Sequence, residues 1–369
     1  MDTQLKVCWH DGIQSSSFIF CAFPVSVVKK NHMFIANDIN QFKTLFVNKL
    51  KGMLSDDELG AYILVLANSL QDEYLKSELQ EVLKNNFIAL RNNYYADTLT
   101  ATQDDMDVFK QLLEMDVEQL PVWKVKEAGD WVAVLNIMRQ LRPTRSSSQT
   151  LDSINQIFDE TKFHFNKSFL KPEILWEGGF GDVQLRVLFN KFPFSDYHLI
   201  IVVSPEKNSS QLITKDAHQC LFSLVEDMSV RFPGFGVGFN SIAAGASVNH
   251  LHFQGFIRES MFAIENSQWR HNGGDIAYPL AVTRFADVDS SWQFINRLVE
   301  EDKAFNCLYR NNYCYVIPRK YQGTFDVPEW LTGAGWIDVA GVITVSEDKI
   351  LSSIDESAIT QALKNLVVV

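Results

Sequence analysis

The spacing of hydrophobic residues divides the chain into a helical first third and a strand-rich remainder. Between residues 41 and 115, including the run 74–93, the apolar positions recur every three or four residues. This period places them on one side of a helix, so the segment 1–125 is predicted to be mainly helical, with a role that the sequence does not reveal. Alternation in residues 1–40 predicts one or two strands ahead of the helices.

From Trp131 onward, short runs rich in β-branched and aromatic residues are separated by proline, glycine and asparagine. Such runs are typical of strands, and three helical patterns interrupt them, at 215–230, 288–303 and 355–367. The predicted fold class is therefore α+β with a mostly antiparallel sheet, and 126–369 forms the second segment. The predicted strands are 131–135, 183–190, 198–203, 236–240, 246–257, 313–318 and 339–345.

Composition and charge narrow the functional classes. The 369 residues include 33 Lys and Arg against 45 Asp and Glu, a net charge of −12. Such an acidic chain is poorly suited to a long nucleic acid, although it can bind one nucleotide in a locally basic pocket. Five cysteines without a CxxC pair indicate neither a zinc ribbon nor a disulfide framework. A polar N-terminus, and apolar runs too short to span a bilayer, predict a cytoplasmic protein without a membrane partner.

The strongest chemical signal is the sequence NHLHFQ at 249–254. In a strand, His250, His252 and Gln254 would share one face, whereas Leu251 and Phe253 would point to the core. A neutral imidazole is a nucleophile, so the pair can carry phosphoryl chemistry through a covalent phosphoramidate, with the amide holding phosphoryl oxygens. At an unperturbed histidine pKa, activity is expected to fall below about pH 6.5. Two other interpretations remain at this point: a metal-binding pair, or hydrogen-bonded histidines with a structural role.

A run of small residues precedes this motif. GVGFNS at 236–241 leads into GAS at 245–247, and such residues let backbone amides approach an anion closely. The run is followed by a predicted strand and not by a helix, so it does not fit a dinucleotide-binding fingerprint.

Together these runs resemble the GDP-hexose phosphorylases, a family within the galactose-1-phosphate uridylyltransferase branch of the histidine triad superfamily. The resemblance rests on GFNS and ASVNHLHFQG within 238–255 and on three segments in the family's order. These are VAVLN with two arginines and proline at 132–143, FDETKFHFNK at 158–167, and NKFP with YHLIIV at 190–202. The resemblance is good from about residue 130 to 260, fainter to about 350, and does not account for the first 120 or so. It implies a histidine-triad-like antiparallel sheet with packed helices, whose second half is degenerate.

The resemblance implies a role for each matching residue. His252 would be the nucleophile that forms a guanylyl-histidine, Gln254 would bind the phosphoryl oxygens, and His250 would support the nucleophile. The other matches would bind substrate or lie beside it: Arg139 and Arg142 at the phosphates through an RxxRP motif, Asn240 and Ser247 at phosphate oxygens, Asn190 in the nucleoside pocket, His198 near His250, and Lys167 at a phosphate. Arginine suits this task because its guanidinium makes bidentate contacts to phosphate. Each residue, taken singly, also fits a structural or solvent-exposed position.

Two segments depart from the family pattern. Tyr197 precedes His198 where the family has glycine, and DVAGV at 338–342 stands where the family has Glu-Leu-Ala-Gly-His. The acid is therefore shorter and Val342 replaces the histidine, so sugar or phosphate handling is expected to differ. The metal ligands of the uridylyltransferases are not seen in the sequence, so neither a structural zinc nor another cofactor is expected.

The implied reaction is phosphorolysis of a nucleoside diphosphate hexose. His252 would take the guanylyl group from a GDP-hexose and release hexose 1-phosphate, and inorganic phosphate would then accept that group to give GDP. Two alternatives stay open: a dinucleoside polyphosphate phosphorylase or other nucleotidyltransferase with the same HxHxQ chemistry, and a nucleotide-binding protein without catalysis. The expected partners are thus a nucleotide sugar and phosphate. A homodimer is also expected, because the uridylyltransferase branch commonly forms one.

Overall fold

Four helices open the part of the chain that the structure describes. The structure is a computed structural model that describes residues 34–55, 58–142, 151–331 and 333–368, all within one compact unit. The helices are α1 (Ile39–Gly52), α2 (Leu59–Ser69), α3 (Glu73–Tyr95) and α4 (Gln103–Leu113). They confirm the helical spacing between residues 41 and 115. The strands predicted in 1–40 lie, as far as residue 33, outside the described residues.

Side-chain caps fix where three of these helices begin. Asp38, Asp72 and Thr102 accept hydrogen bonds from backbone N–H groups in the first turns of α1, α3 and α4. These bonds satisfy donors that a helix start leaves unpaired. The helices share one apolar core with the sheet described below. The division of the chain into two domains near residue 125 stays a prediction.

The remaining described residues form further strands and helices. In chain order they are β1 (Lys124–Ala128), β2 (Trp131–Leu135), β3 (Ile174–Phe180), β4 (Val183–Phe189), β5 (Leu199–Val203), α5 (Lys215–Arg231), β6 (Phe235–Asn240), β7 (His252–Ile257), β8 (Thr283–Phe285), α6 (Val288–Glu300), β9 (Phe305–Arg310), β10 (Tyr313–Pro318), α7 (Trp336–Val339), β11 (Val342–Val345), α8 (Asp348–Ser353) and α9 (Glu356–Lys364). Strands β1, β3, β8 and β9 were not predicted. Every residue of β9 is buried, so this strand lacks the alternation by which a half-exposed strand is recognised.

Two sheets are built from these strands. The larger has the order β3-β4-β5-β7-β6-β9-β10-β8, and every neighbouring pair in it is antiparallel. The smaller has the order β1-β2-β11, in which β2 pairs antiparallel with β1 and parallel with β11. The predicted α+β class with a mostly antiparallel sheet is therefore confirmed.

Two predicted strands begin later than expected. Residues 246–251 are irregular and β7 starts only at His252, because the preceding backbone turns towards another loop, where the N–H of Leu251 donates to the carbonyl of Ser209 at 2.8 Å. Likewise β11 starts at Val342, because the short helix α7 precedes it and the chain leaves that helix through Gly341 with φ of +100°. A left-handed φ of this kind favours glycine.

The central strands of the large sheet have one face in the apolar core and one face that carries polar groups. Phe253 of β7, with Val237 and Phe239 of β6, belongs to the core shared with α5 and the N-terminal helices. On β7, His252 lies opposite Val202 of β5, and Gln254 lies opposite Ile200. Directly opposed residues share a face, so His252 and Gln254 project from the face away from that core.

Candidate active site

The predicted alternation of the HxHxQ motif is confirmed for its strand portion. Leu251 and Phe253 are buried in the core, and His252 and Gln254 lie on the opposite face of β7. His250 precedes the strand, so its position is set by loop contacts and not by strand geometry. Its ring and that of His252 both contact Phe165, whose centroid lies 6.0 Å from that of His250 and 4.8 Å from that of His252.

A backbone hydrogen bond fixes the tautomer of His252. Its Nδ1 lies 2.7 Å from the carbonyl oxygen of His250. A carbonyl can only accept, so Nδ1 carries the proton and the neutral ring keeps its lone pair on Nε2. Nε2 is therefore the nitrogen of this ring that can act as a nucleophile. The support that His250 gives to His252 is therefore made through its backbone carbonyl.

Burial keeps the imidazole of His252 neutral. The side chain is 5% exposed, and burial lowers its pKa to about 4, although the bond to the His250 carbonyl acts in the opposite direction. The expectation that activity falls below about pH 6.5 is therefore wrong for this group, because it assumed an unperturbed histidine. The neutral, nucleophilic form persists well into the acidic range.

His250 is enclosed by aromatic rings. Its Nδ1 accepts the backbone N–H of Phe165 at 3.3 Å, so the proton of the neutral ring lies on Nε2. The rings of Phe158 and His164 lie 5.5 and 5.9 Å from it, centroid to centroid. Burial, with smaller effects from nearby positive groups, lowers the pKa of His250 to about 3. The ring is thus a neutral packing element that holds the carbonyl facing His252.

Gln211, which the sequence did not single out, links the two central strands at His252. Its Oε1 accepts the N–H of His252 at 2.9 Å. Its Nε2 donates to the carbonyls of His252 at 3.0 Å and of Asn240 at 2.9 Å. These bonds link the ends of β6 and β7, as a further hydrogen bond of the sheet ladder would. Gln211 stands outside every motif of the sequence, so no local pattern could have identified it.

Trp336, also missed, contacts the amide of the motif. The indole Nε1 donates to Oε1 of Gln254, and the backbone N–H of Trp336 donates to Oδ1 of Asn240 at 2.7 Å. The same oxygen of Asn240 accepts from Nδ2 of Asn306 at 2.7 Å. Both lone pairs of that oxygen are therefore used, so a contact from Asn240 to a phosphate oxygen would have to come from Nδ2. Gly238 provides the space, since a Cβ built there would lie 2.1 Å from the indole.

Arginine residues gather next to this face. Arg139 lies over the ring of Phe194 with its guanidinium carbon 5.1 Å from the centroid, and Phe194 in turn contacts His198 at 4.2 Å between centroids. Arg142 donates to the hydroxyl of Ser247 at 3.3 Å. The two arginines of the RxxRP motif and the serine of the loop before β7 are thus brought to one region. That this region binds phosphate stays a prediction.

Asp338, from the segment that departs from the family pattern, balances Arg139. Burial raises the pKa of this carboxyl to about 6, and the charge of Arg139 is the largest opposing effect. Burial and the charge of Arg142 lower the pKa of Arg139 to about 9, which Asp338 opposes. The carboxyl also accepts the N–H of Gly335 at 2.8 Å. Val342, which replaces the histidine of the family pattern, is buried in the apolar cluster of the smaller sheet.

His198 and Asn190 occupy the end of the neighbouring strands. His198 is fully buried and its Nδ1 accepts the N–H of Phe194 at 3.2 Å. Burial, followed by the charges of Arg139 and His252, lowers its pKa well below the usual value. The side-chain amide nitrogen of Asn190 lies 3.4 Å from the His198 ring. The backbone carbonyl of Asn190 accepts from the side-chain amide of Asn68 in α2 at 2.9 Å. Both residues therefore lie beside the face that carries His252.

Lys167 lies on the outer side of the histidines. Its Nζ donates to the carbonyl of Glu160 at 2.7 Å, and its charge helps to lower the pKa of His164. This places it near His164. A role for Lys167 in binding phosphate stays a prediction.

Two features are absent from the described residues. No group of three or more His, Cys, Asp or Glu side chains that could hold a metal ion is found among them. None of the helices in those same residues is both long and apolar enough to cross a membrane.

The fold and the site together define an α+β protein that presents a buried, neutral histidine and an amide on the central strands of an antiparallel sheet, with arginines gathered nearby. Comparison with known proteins adds to this description. Residues 97–256 match the family model described as GDPGP1-like, N-terminal domain. The resemblance to GDP-hexose phosphorylases seen in the sequence is thus confirmed over that segment.

Individual relatives carry the same names. The chain is 38% identical over 138 residues to GDP-D-glucose phosphorylase 1 of Danio rerio, which covers 37% of this chain and 39% of that protein. It is 31% identical over 166 residues to GDP-D-glucose phosphorylase 1 of Homo sapiens, covering 42% and 40%. GDP-L-galactose phosphorylase 1 of Arabidopsis thaliana is 28% identical over 151 residues, covering 37% and 34%. The chain spans about two fifths of the length of the first two relatives. Among solved structures, yeast Ap4A phosphorylase Apa2 in complex with Ap4A has a TM-score of 0.49 at 14% identity, covering 73% of this chain and 100% of that chain.

Proposed function

We propose that this chain is a GDP-hexose phosphorylase that works through a guanylyl group on His252. The observation that carries the proposal is the geometry of that imidazole. Its Nδ1–H is held by the His250 carbonyl at 2.7 Å, and its Nε2 lone pair lies on the polar face of the sheet. Resemblance to GDP-D-glucose and GDP-L-galactose phosphorylases supports the choice of a GDP-hexose as substrate.

The reaction would occur in two displacements at one phosphorus. In the first, Nε2 of His252 forms a bond to the α-phosphorus and the bond to the bridging oxygen breaks, so that hexose 1-phosphate leaves with that oxygen. In the second, an oxygen of inorganic phosphate forms a bond to the same phosphorus, and the P–N bond breaks. GDP leaves and His252 returns to its neutral form.

The surrounding groups suit these steps. As an oxygen nucleophile or leaving group bears negative charge, donors and cations placed beforehand stabilise the transition state. Arg139 and Arg142 are the cations, and Gln254 is the amide next to the nucleophile. Asp338 limits the positive charge that accumulates around Arg139 when no nucleotide is bound. A homodimer and a cytoplasmic location stay predictions.

The test uses purified protein and GDP-glucose, with and without inorganic phosphate, and follows GDP, GMP and glucose 1-phosphate. Phosphate-dependent release of GDP and glucose 1-phosphate is expected, and His252→Ala should abolish it. His271→Asn is the matched control, because His271 also bonds a backbone carbonyl, that of Ile264 at 2.7 Å, outside the HxHxQ motif. With radiolabel in the α-phosphate, omission of phosphate should leave label on the protein that is stable to base and released by acid.

The alternatives give different results in the same assay. GMP formed without need for phosphate would indicate a hydrolase. Turnover of diadenosine tetraphosphate but not of GDP-glucose would indicate a dinucleoside polyphosphate phosphorylase. Binding of GDP in calorimetry, with no product from either substrate, would indicate a nucleotide-binding protein without catalysis. Each of these outcomes contradicts the proposal.

A further inference from the structure

The contact between Trp336 and Gln254 fixes the orientation of the Gln254 side-chain amide as well as its position. An indole nitrogen is a donor only, so the atom of Gln254 that faces Trp336 must be the carbonyl oxygen of its amide. The NH₂ group of the same amide is then directed away from the indole. The orientation of a glutamine amide is usually ambiguous, and here a donor of one kind decides it.

We propose that Trp336 is a positioning residue that holds the Gln254 amide so that its NH₂ group, and not its oxygen, is presented to the α-phosphoryl group of the nucleotide. The proposal rests on the proposed function for the identity of the ligand. An amide turned the other way would place a carbonyl oxygen against an anionic phosphoryl oxygen, which is repulsive. Without the indole N–H, both orientations become accessible.

The indole is itself held rigidly. Trp336 is fully buried and stacks on Phe256, with ring centroids 4.9 Å apart and planes at 14°. Its backbone N–H is anchored on Asn240 at 2.7 Å. Above it, Gly238 leaves no Cβ that would push the ring away. A side chain fixed from three directions can impose its orientation on the half-buried amide next to it.

Trp336 is distant in sequence from the motif that it contacts. Trp336 lies well beyond the segment 97–256 that matches the family model. The residue that orients the amide of the motif is therefore supplied by the C-terminal part of the chain. That same part supplies Asp338, two residues further along, whose carboxyl accepts the N–H of Gly335. The stretch 335–338 thus completes a site whose nucleophile lies more than eighty residues earlier.

The test compares Trp336→Phe with Trp131→Phe. Trp131 is an equivalent control, since it belongs to the same apolar cluster and its indole N–H bonds the hydroxyl of Thr360 at 2.9 Å. Both variants keep an aromatic ring and lose one N–H. We expect Trp336→Phe to reduce kcat about tenfold or more with KM for GDP-glucose within about twofold, and Trp131→Phe to keep both constants.

A second measurement reports the amide directly. The two diastereomers of GDP-glucose with sulfur on the α-phosphorus differ in which non-bridging atom faces Gln254, and sulfur is a poor acceptor. The wild-type protein should prefer one diastereomer, Gln254→Ala should lose the preference contributed by this contact, and Trp336→Phe should reduce it. A merely structural effect of the substitution would lower both rates without changing their ratio. An unchanged ratio in Trp336→Phe would therefore overturn the proposal.

Two further experiments keep the proposal testable in all cases. If Trp336→Phe does not fold, Gln254→Glu replaces it. The carboxylate can accept from the indole but cannot donate, so activity should fall as far as in Gln254→Ala. Near-normal activity would contradict the proposal.

If the wild-type protein does not turn over GDP-glucose, the proposed function fails, and nuclear magnetic resonance of the ligand-free protein tests the orientation separately. The side-chain amide signals of Gln254 should shift or broaden in Trp336→Phe and stay unchanged in Trp131→Phe. Unchanged signals in both would overturn the proposal.

Discussion

Acid titration separates two groups whose pKa values burial shifts in opposite directions. The pKa of His252 is lowered to about 4, and that of Asp338 is raised to about 6. The nucleophile must be neutral to attack, whereas the carboxyl of Asp338 carries its negative charge only above its pKa. An acidic limb of the rate near pH 6 would therefore belong to Asp338, and the limb of His252 should appear about two units lower. The variant Asp338→Asn removes the first limb and leaves the second.

The expected magnitude follows from the pKa values. At about pH 5, an imidazole with a pKa of about 4 is still about 90% neutral, whereas one with the ordinary value of about 6.5 would be about 3% neutral. Guanylyl transfer in Asp338→Asn should thus lose only about a tenth of its rate between about pH 7 and about pH 5. An ordinary imidazole would lose about 25-fold over the same range.

The assay is the pre-steady-state release of glucose 1-phosphate from GDP-glucose in a quenched-flow instrument. This first half of the reaction needs no inorganic phosphate, whose own titration would otherwise enter the profile. Circular dichroism at each pH shows that the protein remains folded. A loss of about 25-fold by about pH 5 in Asp338→Asn would mean that His252 titrates as an exposed imidazole, and would refute the assignment of a buried neutral nucleophile.

Three substitutions test the support of the site and of the fold. Gln211→Ala leaves the buried N–H of His252 without its acceptor. We therefore expect a loss of about 2–3 kcal/mol in the free energy of unfolding by urea, together with slower adduct formation. Wild-type stability would contradict this. Gly238→Ala would place a Cβ 2.1 Å from the indole ring of Trp336, so about 1–3 kcal/mol of the free energy of unfolding and most of the activity should be lost. The control Gly52→Ala, whose Cβ would have nothing within 4 Å, should be neutral or slightly stabilising. Glu265→Ala removes the partner of Arg310 at 2.8 Å, with both side chains under 5% exposed, and should cost about 3–5 kcal/mol in the same measurement. A cost below about 1 kcal/mol would show that Arg310 needs no counter-charge.

Local periodicity was sufficient for much of the secondary structure. A helix repeats every 3.6 residues and a strand every two, so the helices in 41–115 and the opposite facing of Phe253 and Gln254 follow from neighbours in sequence. The same reasoning failed at β9, where both faces are buried, and at His250, where bonds to another loop decide the backbone.

The motif likewise predicted which residues carry the chemistry, because HxHxQ brings its own side chains within a few residues of one another. The match of residues 97–256 to a GDPGP1-like domain agrees with the family resemblance that the motif indicated. What the motif could not provide is the state of those groups. The pKa of His252 depends on how many atoms exclude water from it, and these come from strands and loops spread along the chain.

The sequence by itself thus determined the class of fold and the resemblance to GDP-hexose phosphorylases, and it predicted His252 as the nucleophile, since each depends on residues close together in the chain. Only the tertiary structure decided the tautomer of His252, its shifted pKa, the clamp by Gln211 and the orientation of Gln254 by Trp336. Apart from the bond between His252 and the carbonyl of His250, two positions away, these depend on contacts between residues tens of positions apart, up to 82 between Trp336 and Gln254. Hydrogen bonds and desolvation act through space, and no periodic pattern records which distant side chain will meet another.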